Sequence, residues 1–262
     1  MPTLTTKTQS IHYIDHGERD TLLLLHAFPL SSAMWKPQIP ALSAVSRVIA
    51  PDARGFGGSR PVADAVLTMD TIADDARTLI DAFGISRVVI GGLSMGGYGA
   101  LAFWRRHRAK VRAMILADTR ATPDSDEGRT GRHTFATKTL ELGAEWVVEQ
   151  MASKLQRLSP IPEVDQMLRS MILATQPEGV AAAQRGMAVR PDSTAMLAEI
   201  DCPVLVIVGA EDSLVPPVRA RKMADAIPNA RVVEIAGAGH ISNLEQPEAF
   251  NEAVVDFIRS LG

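Results

Sequence analysis

The stretch Gly92-Leu93-Ser94-Met95-Gly96-Gly97 constrains this chain more than any other. Just before it, Arg87-Val88-Val89-Ile90 is a β-branched apolar run that reads as a buried strand. Just after it, Tyr98 to His107 has helical spacing and good helix formers in Ala100, Leu101 and Ala102. A serine flanked by glycines at such a junction sits on a tight turn that forces its hydroxyl outward. Gly92 and Gly96 stand where strand and helix backbones pass too close for a Cβ, and Gly97 and Gly99 let the helix lie close on the sheet. The pentapeptide alone is weak, since chance gives roughly 0.08 matches in a chain this long. Its surroundings decide its meaning.

Those surroundings alternate between strand and helix. Ile11-His12-Tyr13-Ile14 reads as an early edge strand, and Thr21 to Leu25 as a fully apolar one. A short interrupted helix is predicted within 31–42. Arg47-Val48-Ile49-Ala50 is the next strand and runs into the glycine-dense loop Pro51 to Ser59. Met69 to Phe83 has helical periodicity with Gly84 as its stop. Val111 to Ala117 is a strand ending at Asp118. From about 120 to 200 no strand pattern occurs. Helices are predicted over 133–142, 144–157, 163–175 and 177–189, separated by Gly143, Ser159-Pro160-Ile161-Pro162 and Pro177. Alternation resumes with strands at 204–208 and 231–235 and helices at 217–227 and 247–261. The pattern implies an α/β fold with a mostly parallel central sheet and helices on both faces. Ligands bind such sheets beyond the carboxyl ends of the strands. Residues 1–119 and 201–262 are therefore expected to form one core domain. Residues 120–200 are expected to form a helical cap, inserted at the ligand-binding edge.

Composition adds mainly exclusions. At 262 residues the chain can bury a sizeable core. A net charge of −3 offers nothing to attract nucleic acid or an anionic membrane. Cys202 is the one cysteine, so no internal disulfide forms, and its place before Pro203 and an apolar run suits a buried inert thiol. The N-terminus is polar, no apolar run reaches membrane-spanning length, and a soluble cytoplasmic protein is expected. No His/Cys/carboxylate spacing suggests a metal and no glycine-rich phosphate loop is present, so neither metal nor cofactor is expected.

Three further strand ends carry reactive residues. Gly209-Ala210-Glu211-Asp212 follows one strand, Gly237-Ala238-Gly239-His240 follows the last, and His26-Ala27-Phe28-Pro29 ends the strand at 21–25. A serine hydroxyl is a poor nucleophile until a base takes its proton. His240 can do so near neutral pH and return the proton to a leaving group. Asp212 would hold the imidazole tautomer and stabilise the imidazolium. The backbone N–H groups of Phe28 and Met95 would receive an oxyanion. Asp118 also ends a strand and is a rival for the acid. His26 reads as a loop-pinning residue, Asp52 and Arg54 as anchors of the glycine loop, and Glu211 as pointing away from the acid. His12, His16, His107 and His133 read as ordinary surface or cap residues.

In these motifs the chain resembles the α/β-hydrolase superfamily over nearly its whole length. Gly-Leu-Ser-Met-Gly-Gly, the Asp-x-Arg-Gly-x-Gly-x-Ser loop at 52–59, Gly-Ala-Glu-Asp, and the stretch from Gly237 to Phe250 all match, in the Ser…Asp…His order of that superfamily. The last stretch and His-Ala-Phe-Pro are similar to carboxylesterases, 3-oxoadipate enol-lactonases and cofactor-free bacterial haloperoxidases. The resemblance implies Ser94, Asp212 and His240 as catalytic residues, Phe28 and Met95 as the oxyanion hole, and ester hydrolysis through an acyl-enzyme. Lactone hydrolysis and perhydrolysis are alternatives, and proline iminopeptidase-like and C–C bond hydrolases share the same three residues. Haloalkane dehalogenases and epoxide hydrolases of this fold use an aspartate nucleophile, which Ser94 argues against. A binding protein on the same fold is the minority reading.

The expected partner is a small-molecule ester or lactone; the oligomeric state stays open. Phe28, Trp146, Val215 and Ile241 are the expected substrate-contacting residues. Phe135, Met151, Met167, Met171 and Met187 are further candidates to face inward. The cap carries the basic residues Arg120, Arg129, Arg132, Lys138, Lys154, Arg157, Arg169, Arg185 and Arg190. It carries at least as many carboxylates, including Asp124, Asp126, Glu127, Glu141, Glu145, Glu149, Glu163 and Asp165. Such mixed sign focuses little field on a charged ligand, so small-to-medium neutral esters are the expected substrates.

Overall fold

The structure, a computed structural model, describes residues 2–6, 9–59 and 65–262. Among these, eight strands form one sheet: β1 (Thr3–Thr5), β2 (Ser10–His16), β3 (Thr21–Leu25), β4 (Arg47–Pro51), β5 (Val88–Leu93), β6 (Val111–Ala117), β7 (Val204–Gly209) and β8 (Ala230–Ile235). Their spatial order is β1-β2-β4-β3-β5-β6-β7-β8. β2 is antiparallel to β1 and β4. Every pairing from β4 to β8 is parallel. The helices are α1 (Ile39–Leu42), α2 (Met69–Ala82), α3 (Met95–His107), α4 (Asp126–Leu155), α5 (Pro162–Leu173), α6 (Pro177–Ala188), α7 (Pro217–Asp225), α8 (Ser242–Glu245) and α9 (Pro247–Ser260). None of them is long and apolar enough to cross a membrane.

Helices cover both faces of the parallel strands, and this explains their composition. Every residue of β3, β5 and β7 is buried, so these strands read as unbroken apolar runs with no alternation. Each leucine of β3 removed from water contributes about 1.5–3 kcal/mol. α2 begins where the Thr68 hydroxyl accepts the Thr71 N–H at 3.0 Å. It buries Ile72, Ala76, Leu79 and Ile80, the positions its 3.6-residue period aligns.

Two differences from the sequence reading have plain causes. The outermost strand is β1, and the expected edge strand at 11–14 lies one position inward. Thr3-Leu4-Thr5 is too short to display a hydrophobic period, and only pairing with β2 makes it a strand. The first helix after β6 starts at Asp126, well before residue 133, because the Ser125 hydroxyl accepts the Gly128 N–H at 3.1 Å. Gly143 interrupts α4 where a turn is expected, with φ 80° and ψ −170°, a conformation glycine alone adopts without strain. Between β6 and β7 the chain is helical, without a strand.

Candidate active site

Ser94 follows the last residue of β5 and precedes the first of α3, with φ 55° and ψ −111°. A non-glycine residue at positive φ stores about 1–3 kcal/mol of strain, so its surroundings must hold it. Here the Ser94 N–H donates to the Ala117 carbonyl at 2.9 Å, and the Thr119 hydroxyl donates to the Ser94 carbonyl at 2.8 Å. A Cβ on Gly92 would overlap the Gly96 carbonyl, and one on Gly96 would overlap that of Leu25. The turn can therefore be this tight only with glycine at both positions.

Asp212 lies just past β7. Its Oδ1 accepts the backbone N–H groups of Leu214 (2.8 Å) and Val215 (2.9 Å), which fixes the carboxylate. Its Oδ2 accepts the His240 Nδ1–H at 2.8 Å. The proton on Nδ1 leaves Nε2 with a lone pair, which accepts the Ser94 hydroxyl at 2.8 Å. Asp212 and His240 are buried while Ser94 is half-buried. Burial on its own would lower the His240 pKa. The hydrogen bond donated to Asp212 and the negative charges of Asp212, Asp118 and Glu245 outweigh it and raise the imidazole above its ordinary value. The histidine loop is itself held: Glu245, in α8, accepts the Gly239 N–H at 2.5 Å with one oxygen and the Arg157 N–H at 2.7 Å with the other. Burial pushes the Glu245 carboxyl upward.

Asp118 is fully buried and also at positive φ, 46°. Its carboxylate accepts the Gly209 N–H at 2.8 Å and the Ser242 hydroxyl at 2.6 Å, and His240 donates to Asp212 instead. Burial, reinforced by the nearby Asp212 charge, pushes the Asp118 carboxyl up to about 7. Glu211 points to solvent. His26 accepts the Ala53 N–H at Nε2 (3.0 Å) and hydrogen-bonds the Ala27 carbonyl through Nδ1 (2.9 Å), so it ties two loops together. Its burial holds its pKa down, and it stays neutral. Asp52 accepts from Ser32, Gly58 and His12, and Arg54 pairs with Asp75 through both carboxylate oxygens at 2.7 Å. Burial pushes the Cys202 thiol up to about 11, which keeps it inert.

Beside Ser94 opens a cavity of about 530 Å³, lined among others by Phe28, Ser94, Tyr98, Phe135, Met151, Met187, Leu214, Val215 and His240. The Met95 N–H, first in α3, follows Ser94 in the chain, and the Phe28 N–H belongs to a residue that lines the same cavity as Ser94 and whose peptide bond to Pro29 is cis. Neither donates to an acceptor among the hydrogen bonds of the described residues. The arrangement offers a hydroxyl hydrogen-bonded to an imidazole whose tautomer a buried carboxylate fixes. Among the described residues no group of three or more His, Cys, Asp and Glu side chains could hold a metal ion.

Four substrate contacts were expected from sequence, and two of them reach the cavity. Phe28 and Val215 line it. Trp146 stands behind Phe135, ring centroids 4.7 Å apart, because Gly143 turns the second half of α4. Ile241 is fully buried; it follows His240, and the chain turns into α8 there. Phe135, Met151 and Met187 line the cavity, whereas Met167 is exposed and Met171 packs in the helical core.

The charge expectation also needs correcting at the cavity wall. Asp126, Glu127, Glu141, Glu145, Glu149 and Glu163 are exposed, and Asp165 pairs with Arg169. Only Asp124 of the cap carboxylates lines the cavity, together with Arg120, Arg132 and Lys154. Tyr98 and Gln184 line it too and were missed. Tyr98 lies four residues after Ser94, one helical turn on, and that spacing is the signal that points to it.

A family model described as alpha/beta hydrolase fold matches residues 20–247. A thermophilic esterase from Thermogutta terrifontis, solved with malate bound, is 41% identical, with 99% of this chain and 98% of that one covered and a TM-score of 0.95. The enol-lactonase from Burkholderia xenovorans LB400 is 30% identical, with 98% and 100% covered and a TM-score of 0.91. 3-oxoadipate enol-lactonase 1 of Acinetobacter baylyi is 26% identical over 97% of this chain and 94% of its own. The fold and these neighbours support a hydrolase activity. With a matching model over most of its length, this chain belongs to the α/β hydrolase fold family.

Proposed function

We propose that the protein is a serine hydrolase that cleaves carboxylic esters through an acyl-enzyme on Ser94. The observation that carries this reading is the continuous chain Ser94 Oγ, His240 Nε2, His240 Nδ1, Asp212 Oδ2, with 2.8 Å at both hydrogen bonds. In the first half-reaction Ser94 Oγ attacks the carbonyl carbon while its proton passes to His240 Nε2. The carbonyl oxygen becomes an oxyanion held by the Phe28 and Met95 N–H groups, each such donor being worth about 3 kcal/mol. The intermediate collapses, the bond to the alcohol oxygen breaks, and His240 protonates the departing alcohol. In the second half-reaction a water gives its proton to His240 and attacks the acyl carbon, releasing the carboxylic acid and restoring the Ser94 hydroxyl. Asp212 stays ionised throughout and stabilises the imidazolium.

The helices of residues 120–200 act as a cap in this reading, since Arg132, Phe135 and Met151 of α4 and Met187 of α6 complete the cavity wall. Phe28, Val215, Phe135 and the methionines hold the apolar part of the substrate. Lactones fit the same chemistry, the leaving hydroxyl remaining tethered to the acyl group. A fluorophosphonate probe is expected to label Ser94 covalently, and Ser94→Ala to lose both label and ester turnover with an unchanged fold. Labelling at a different serine, or turnover retained by Ser94→Ala, overturns the reading.

A further inference from the structure

Three guanidinium groups converge on one carboxylate at the wall of the cavity. Asp124 accepts from Arg120, from Arg132 and from Arg190. Arg190 lies deepest: its side chain is 4% exposed, it also donates to the Met187 and Thr122 carbonyls, and it stacks on the Tyr98 ring at 4.3 Å. Arg120 and Arg132 are about five times more open, at 20% and 19%, and both line the cavity. Arg132 takes a second acceptor in Gln184 at 2.9 Å. The Arg120 Nε is buried without an acceptor among the described residues.

A cluster that served only to pin the helices would be balanced, because uncompensated charge away from water is costly. This one is not. Burial works against ionisation of Asp124, but the guanidiniums of Arg190 and Arg132 overcome it and hold that carboxyl well below the usual carboxylate range. Asp124 therefore supplies one negative charge, and one only, at every pH of interest. Lys154 adds a further cation to the cavity wall. The adjoining hollow behind Arg120 is lined by Arg219 and Lys222, with no carboxylate among its described lining residues. The surplus positive charge sits one helical turn along α3 from Ser94, at Tyr98, whose ring Arg190 covers.

We infer that the substrate of this site carries a carboxylate, which the Arg120–Arg132 edge of the cavity binds while its ester carbonyl lies at Ser94. The inference rests on the serine-hydrolase reading above and opposes the neutral substrate expected from the charge balance of the whole cap. The carboxylate enters on either the acyl or the alcohol side of the ester.

The test is a pair of kcat/KM ratios. 4-nitrophenyl hydrogen adipate is compared with its ω-methyl ester, and 4-acetoxybenzoate with methyl 4-acetoxybenzoate, each corrected for spontaneous hydrolysis. At least one anion is expected to be preferred tenfold or more, and the preferred pair identifies the side. The preference is expected to shrink between 0.1 and 1 M salt, as the screening length falls from about 10 Å to about 3 Å. In Arg132→Gln and Arg120→Gln the ratio is expected to drop at least fivefold. Ratios below ten for both pairs, or a preference that neither substitution reduces, overturn the inference. The wild-type ratio stands even where a variant does not fold. If neither neutral nor charged ester turns over and no fluorophosphonate label forms, the hydrolase reading itself has failed. Turnover without charge preference refutes the carboxylate site alone.

Discussion

Asp212→Asn is the most informative single substitution, because the structure dictates which way the new amide must face. Asp212 Oδ1 accepts two backbone N–H groups, from Leu214 and Val215. An asparagine must present its carbonyl oxygen there. The opposite rotamer would set an NH2 against both backbone donors and cost about 1–3 kcal/mol for the buried Val215 N–H left unsatisfied. The amide nitrogen therefore takes the Oδ2 place and donates to His240 Nδ1. Nδ1 must then be the bare nitrogen and Nε2 must carry the proton, which faces the Ser94 hydroxyl. A histidine in that tautomer cannot accept the serine proton. The expected loss is on the order of 10⁴-fold in kcat, equivalent to about 5.5 kcal/mol. KM should change little, because Asp212 does not line the cavity. Steady-state hydrolysis of a 4-nitrophenyl ester, with a thermal melt to check folding, measures it. Asp118→Asn is the control, since the Asp118 carboxylate bonds Gly209 and Ser242 and not the imidazole. A loss below a hundredfold at Asp212, or a larger loss at Asp118, refutes the reasoning.

Three other outcomes follow from the same geometry. Ester hydrolysis should rise with pH through one ionisation whose midpoint lies above 6.5, since only neutral His240 accepts a proton and its neighbours raise its pKa; a kcat/KM flat from pH 5 to 8 contradicts this. Asp118 should make stability pH-dependent: its folded pKa near 7 exceeds the unfolded 3.8, so its contribution is complete below about pH 4 and is lost as pH rises to 7. Asp118→Asn, which can still accept from Gly209 and donate to Ser242, should therefore gain on wild type in urea midpoint between pH 5 and pH 8, and an unchanging difference counts against it. Glu245→Gln must turn one NH2 toward a backbone donor of Gly239 or Arg157, and should cost about 1–3 kcal/mol in a denaturant titration. Loss of its charge should also move the rising limb of the pH–rate curve to lower pH.

Much of this protein follows from short-range chemistry that a sequence displays directly. A strand buried on both faces must be apolar throughout, a helix on a sheet must repeat every 3.6 residues, and a turn as tight as that at Ser94 admits only glycine at positions 92 and 96. Those constraints act on neighbours in the chain, so the succession of strands and helices, the α/β class and the residues at each strand end were legible. The helical block at 120–200 and its break at Gly143 were legible for the same reason. β1 was not, because three residues are too few to show a period and become a strand only by pairing with β2. The cavity lining was only half legible: Phe28 and Val215 adjoin the strand ends that place them, while Trp146 depends on how α4 bends and lies behind Phe135. The distribution of charge was least legible of all. A count over the cap finds both signs in balance, yet folding leaves nearly all its carboxylates outside and gathers Arg120, Arg132 and Arg190 around Asp124. Electrostatic interaction depends on distance through space, so residues 66 apart in sequence, such as Asp124 and Arg190, interact only once the tertiary structure has brought them together.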